Sequence, residues 1–535
     1  MGERSSIVMP MTPENEVRLR RRQEFLWIAA GVVLLVAVRT LQLRTLAPLL
    51  YSPEFAQFAN LAADLASGRD VWPGSVSDFY AFYAYGDHAQ GTLLISLLAV
   101  PASLLFGPTT IALHAVGLGF EALLLVLAAH LGFGLGRGRG ALAAISLIVF
   151  PPFFAVAFQS MPYGNHTEFL AVPWLLALAA SRTPGAHLRR LIGLTCVVAA
   201  GFFLYRLNLA AVLAFGVVVL LEGSPSVRVR SIAVVLLGLG VGFLATLLAR
   251  SGAGDVTDVA LPALSADPQA ILGGIERLAR SSWPAAPRGA PGLQSVARLL
   301  SLGSVLLCAG VALGDAGPLR RVARFAVVWA ALGAAAPVIS GQAKPEYLLQ
   351  AFYASLLALT VAGLSPKRPV HLAAGLCGAL LLAFGIADGL RAISPSTWSQ
   401  TPYDGARLAR ELRLDSLDID ELPFWNRIVD EGRAAKDMGL VTRLGDCRQQ
   451  FARRLDFALG GYDEDRCGAR CADEPLARAL ESEMAANPAL DRVSVGRALW
   501  VVCNRDLEQV EGVLSRLEPG DATGYREGAL DEAGR

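Results

Sequence analysis

The residues of this sequence that could do chemistry stand where its apolar runs stop. Glu54 follows the first run in Tyr51-Ser-Pro-Glu54-Phe-Ala-Gln-Phe58. Ser52 reads as an N-cap with Pro53 at the first helical position, so Glu54 falls in the first turn of a helix, near the positive end of its dipole. A carboxylate held ionised there can act as a base or take a metal ion; it can equally serve only to complement the dipole. Phe55, Phe58, Leu61, Ala62 and Leu65 form an apolar stripe at helical spacing, which predicts a helix lying on the membrane surface until Gly68. His166 and Glu168, two residues apart in Gln159-Ser-Met-Pro-Tyr-Gly-Asn-His166-Thr-Glu168, could bind a divalent cation or share a proton. The plainer alternative is a polar interfacial turn with Thr167 starting a helix. Arg206 closes the apolar run Gly201-Phe-Phe-Leu-Tyr205. An arginine there is expensive unless it meets an anion, and a lipid phosphate offers guanidinium two hydrogen bonds; snorkelling to ordinary headgroups is the other outcome. Glu121 stands alone in an apolar helix, with His114 seven residues earlier on the same face. That pair reads either as a proton relay or as a glutamate hydrogen-bonded between helices.

The elements that position these residues are membrane helices. Of 535 residues, 54% are hydrophobic and 17% charged, and mean hydropathy is +0.46. A soluble domain carries about 25% charged residues. Apolar runs recur from Phe25 to Asp388, too long and continuous for barrel strands, so residues 24–390 predict an all-α polytopic membrane domain. The net charge of +1 divides into about −8 after Thr401 and about +9 before it. No basic tract points to nucleic acid.

Arg18, Arg20, Arg21 and Arg22 precede the first run, which places residues 1–23 in the cytoplasm and predicts a retained first helix. Basic turns follow at Arg137–Arg139, Arg182–Arg190, Arg228–Arg230, Arg320–Arg324 and Lys367–Arg368. Between them fall non-basic loops, 51–90, 159–168, 205–208, 250–298 and 340–347. This alternation predicts about 11 crossings and an outer C-terminal domain, 391–535. Parity leaves Gly91–Phe106, broken by Pro101, as a partial outer segment, with Thr109–Leu135 as the crossing helix. Cys196, Cys308 and Cys377 lie in apolar runs, whereas Cys447, Cys467, Cys471 and Cys503 lie in the tail. Disulfides fit the tail cysteines best; zinc and free thiols are the rivals, and the tail has no histidine. The tail predicts a small, mainly helical domain, with helices over Asp404–Leu412, Leu422–Lys436, Cys447–Leu459, Pro475–Met484 and Leu507–Leu517, and a buried strand at Leu499–Cys503.

Glu54, Phe58, Leu61-Ala-Ala-Asp-Leu65 and Gly68, then the segment Leu93–Phe106 ending in Gly107, resemble the opening of membrane glycosyltransferases with the C-type (GT-C) fold. The nearest groups are the protein-mannosyltransferase-like and aminoarabinose-transferase-like families, and the likeness spans residues 20–390 as pattern. Gly201–Arg206 resembles their Gly-rich segment ending in a basic residue, and Lys344-Pro-Glu-Tyr347 their late basic-x-x-Tyr segment. The family's usual second-loop aspartate is absent; His166 and Glu168 are the titratable residues there. The resemblance implies a bacterial inner-membrane enzyme transferring a sugar from a polyprenyl-phosphate donor to an extracytoplasmic acceptor. Glu54 would be the base, Arg206, Lys344 and Tyr347 would hold the donor phosphate, and His166 and Glu168 would orient the acceptor. A divalent cation, if used, would sit among Glu54, His166 and Glu168; no other cofactor is implied. A transporter or flippase of lipid-linked saccharides and a non-catalytic scaffold are the alternatives, and the absence of internal repeats weighs against the transporter.

Overall fold

A computed structural model describes residues 13–46, 92–106, 110–151, 170–182, 188–250, 291–339, 348–392, 507–517 and 519–533, with isolated positions at 61, 65, 71, 269, 272–275, 477, 481, 492, 493, 496 and 499. Among these residues regular structure is entirely helical. The helices are α1 (Pro13–Leu46), α2 (Thr92–Phe106), α3 (Thr110–Val149), α4 (Ala171–Ser181), α5 (Leu188–Leu204), α6 (Leu209–Glu222), α7 (Pro225–Arg250), α8 (Pro291–Gly314), α9 (Gly317–Ile339), α10 (Leu349–Ala362), α11 (Arg368–Ala392), α12 (Leu507–Leu514) and α13 (Pro519–Ala533).

Among the described residues 6 helices are long and apolar enough to cross a membrane, and shorter apolar helices pack beside them. The bundle is organised around α10, in which every residue from Leu349 to Ala362 is buried. A helix apolar on all sides belongs inside a bundle, and α10 is enclosed by α3, α8, α9 and α11. Outward faces carry exposed apolar side chains, among them Val33 on α1, Leu236 on α7, Leu306 on α8 and Leu376 on α11. Such a belt needs lipid rather than water around it.

The helix α3 folds back on itself. Its backbone leaves helical geometry at Gly136 and at Arg137 (φ 53°, ψ −139°), a conformation that favours glycine. Gly132 and Gly140 would lie about 12 Å apart along a straight helix. Instead a Cβ added to either would strike the other's carbonyl oxygen, so the two limbs run antiparallel from the Arg137 turn.

That turn joins the other basic turns at one end of the bundle. Glu24 of α1 pairs with His130, whose Nε2 faces Arg182 at 3.4 Å. Arg321 donates to the Ala180 and Ser181 carbonyls at 3.0 and 2.8 Å. Glu222 takes Arg320 at 2.9 Å and Arg324 at 2.5 Å. Asp315 meets Lys367 at 3.7 Å and accepts from the Ser365 hydroxyl at 3.1 Å.

Two local expectations change. The helix α2 runs unbroken through Pro101; membrane helices tolerate proline because neighbouring groups re-satisfy the freed carbonyl. Leu499, expected in a strand, is helical, and it is fully buried. In a short apolar run periodicity alone does not separate strand from buried helix. The expected helix from Leu507 is present as α12, and α13 adds one that shows almost no apolar stripe, with Ala522, Tyr525, Gly528 and Ala529 buried among its described side chains. Arg526 donates twice to Glu511, at 2.6 and 2.7 Å, joining α12 to α13. Those hydrogen bonds hold the Glu511 carboxyl below its ordinary value. The contribution is therefore present at neutral pH and fades as pH falls through the lowered value; both side chains are nearly half exposed, so it is small. The tail cysteines and the expected helices before Pro475 lie outside the described residues, and the described Cys196, Cys308 and Cys377 are free thiols.

Candidate functional site

Opposite the basic end, α5 closes in a turn rather than continuing into α6. Tyr205 N–H donates to the Gly201 carbonyl at 3.1 Å, and Asn208 N–H to the Tyr205 carbonyl at 3.0 Å. These bonds tighten the chain into the 3-10 turn Arg206–Asn208. Asn208 precedes α6 but does not cap it. Its side chain, fully buried, turns back: Nδ2 donates to the Gly201 carbonyl at 3.2 Å, and Oδ1 accepts from Gln350 Nε2 at 3.1 Å. Gln350 Oε1 in turn accepts from Trp329 Nε1 at 2.9 Å. One polar chain thus ties the α5–α6 turn to α9 and to the start of α10.

Each group in this chain is matched because an unmatched one has no water to turn to. Gln350→Leu keeps the volume but strands the Trp329 N–H and loses the donor to Asn208. Each stranded group costs about 1–3 kcal/mol, so the detergent-solubilised variant should melt at a clearly lower temperature than wild type. An unchanged melting temperature would refute the network's structural role.

The second polar node is an ion pair between α1 and α3. Arg39 Nε donates to Glu121 at 2.6 Å, with the side chains 1% and 3% exposed. Arg39 Nη1 also reaches Gln42 Oε1 at 2.8 Å and the Val149 carbonyl at 3.1 Å, and Nη2 the Ile148 carbonyl at 3.4 Å. The last turn of a helix leaves carbonyls unpaired and carries negative partial charge, so Arg39 caps the second limb of α3 while neutralising the first. Glu121, read from the sequence as a proton relay with His114 or as a glutamate hydrogen-bonded between helices, is hydrogen-bonded between helices, and its partner is a charge. The arginine of the first apolar run was visible in the sequence; that it and the acid of a later run share one level was not. Tyr353 of α10 lies within electrostatic reach of both charges. Its hydroxyl is buried with no hydrogen-bond partner among the described residues.

Of the site residues expected from the sequence, the structure describes the backbone of Arg206, in the turn above. Its side chain, and Glu54, His166, Glu168, Lys344 and Tyr347, lie outside the described residues. The described flanks of Arg206, Tyr347 and Glu168 converge. Asn208, two residues from Arg206, and Gln350, three from Tyr347, share a hydrogen bond. Val172, just beyond the loop of His166 and Glu168, packs against Gly201. Among the described residues no group of three or more His, Cys, Asp or Glu side chains is placed to hold a metal ion. No family model, characterised protein or solved structure matches this chain.

Proposed function

We propose that this chain is a bacterial inner-membrane glycosyltransferase of the C-type fold, moving a sugar from a polyprenyl-phosphate donor to an acceptor outside the cytoplasm. The basic end of the bundle faces the cytoplasm and the Arg206 turn faces out, following the charge asymmetry of membrane loops. Counting each limb of α3 once, the helices from α1 to α11 make about 11 crossings, with α2 as the partial segment. The tail domain then lies outside, where its four cysteines can form disulfides.

The observation that carries this reading is the Asn208–Gln350 hydrogen bond. It ties together the two chain segments whose basic residues, Arg206 and Lys344, are suited to one phosphate. In the reaction Glu54 takes the acceptor hydroxyl proton, the acceptor oxygen attacks the anomeric carbon, and the bond from that carbon to the phosphate oxygen breaks. Arg206 and Lys344 hold the negative charge left on the lipid phosphate, with Tyr347 beside it. His166 and Glu168 orient the acceptor, or hold a divalent cation. The transporter alternative drew on Glu121 as an ion relay. A glutamate ion-paired to Arg39 in a buried contact is poorly suited to that work.

Donor binding tests the phosphate role. Arg206→Ala in the folded, purified protein should lose about 1.5–3 kcal/mol of donor affinity, roughly 10- to 150-fold. Unchanged affinity would mean that Arg206 only snorkels. In reconstituted vesicles, wild type that carries the donor lipid across without forming a glycosidic bond would favour a flippase.

A further inference from the structure

At the basic end a cavity of about 300 Å³ opens between α4, α5, α6 and α7. Its walls are apolar, with Leu178, Leu191, Leu194, Phe215 and Val218 among them. Its polar lining is mainly cationic: Arg182, Arg230 and Arg321, with Glu222 the one acid. Glu222 is already neutralised by Arg320 and Arg324. Arg321 donates from Nε and Nη2 to the Ala180 and Ser181 carbonyls and pairs with no carboxylate among the described residues. Among the described residues the Arg182 guanidinium meets the His130 ring, at 3.4 Å. Arg230 is exposed, on the first turns of α7. A positive rim thus stands over an apolar hollow, beside exposed Val229, Leu236 and Ile192.

We propose that this cavity binds one anionic phospholipid of the surrounding bilayer, its phosphate on Arg182, Arg230 and Arg321 and one acyl chain between α5 and α6. The volume lies at the lower end of the roughly 300–1,000 Å³ of ligand pockets, enough for a chain and too small for a bulky soluble ligand. The exposed apolar flank gives the site lateral access from lipid, where a water-soluble molecule would have to cross hydrocarbon. The three lining arginines outnumber the one lining acid and select an anionic headgroup over a zwitterionic one, and basic pockets between membrane helices bind anionic headgroups in this way. The helix pair α5 and α7 packs mainly on itself, so a chain seated here also fastens that pair to α4 and α6. The site lies at the other end of the bundle from the Arg206 turn and stands independently of the proposed transferase activity.

The test uses the full chain in detergent, titrated with phosphatidylglycerol or phosphatidylcholine and read by native mass spectrometry and thermal melting. One phosphatidylglycerol should remain bound and raise the melting temperature, with phosphatidylcholine doing neither. A surface arginine is worth about a fivefold preference for anionic lipid, so Arg182→Gln with Arg230→Gln should cut that preference roughly thirtyfold. Both residues are exposed, so the double variant folds irrespective of lipid. Leu194→Trp, which fills the hollow, should abolish retention while leaving the arginines in place. Equal binding of the two lipids, an unchanged preference in the double arginine variant, or competition by free glycerol 3-phosphate as strong as by the lipid would each overturn the proposal.

Discussion

Glu54→Gln should lower sugar transfer by roughly 10²–10⁴-fold while donor binding survives. The substitution keeps shape and hydrogen bonding and removes basicity and charge. A general base must come within about 3 Å of the acceptor hydroxyl or act through one water or a metal. The sequence predicts Glu54 in the first turn of a helix, a position that favours the ionised form a base needs. The proposed reaction puts the donor phosphate on Arg206 and Lys344, on other segments, which is why binding and chemistry should separate. Reconstituted transfer with a polyprenyl-phosphate sugar is the deciding assay. An active wild type with an equally active Glu54→Gln variant would move the base to His166 or Glu168. A wild type that transfers nothing would leave the scaffold reading standing.

The second large effect is on stability. Glu121→Ala leaves the Arg39 guanidinium buried without its counter-charge, and breaking a buried pair from one side costs about 3–5 kcal/mol. Arg39→Ala should cost a similar amount, because it strands Glu121 and also uncaps the Ile148 and Val149 carbonyls. Replacing both together, Arg39→Ala with Glu121→Ala, removes the desolvation penalty along with the attraction and should cost less than the two single losses combined. Denaturation of the four proteins in one detergent closes the cycle. Additive losses would show that the charges act independently, against the 2.6 Å contact. The readout also separates the two roles: Glu54→Gln acts on turnover in a stable protein, Glu121→Ala on the protein itself.

The sequence by itself determined the class of this molecule. Composition and run length demand membrane helices because lipid offers backbone groups no other partner. The placement of arginines also marked in advance which turns share an end: Arg137, Arg182, Arg228, Arg320 and Lys367 lie in turns at one end of the bundle. The Leu507 helix was legible because its apolar stripe is strong, whereas α13 was not, since small residues and glycines give it almost none. Of the expected site, Arg206 was legible as a charge at the end of an apolar run, and its turn is where the run predicted a helix to stop.

What only the tertiary structure decided are the pairings between distant runs. Arg39 and Glu121 stand 82 positions apart and Asn208 and Gln350 142 apart. In an apolar run each of these residues reads equally well as a ligand site, a relay or a helix-to-helix contact, because periodicity fixes the face of a helix but not its neighbour or its height. The fold-back of α3 at Arg137 sets the height of Val149 beside Glu121, and that coincidence gives Arg39 a carboxylate and a helix-end carbonyl together. Burial then makes the choice binding: with no water at hand, a buried polar group must take the partner that packing brings to it.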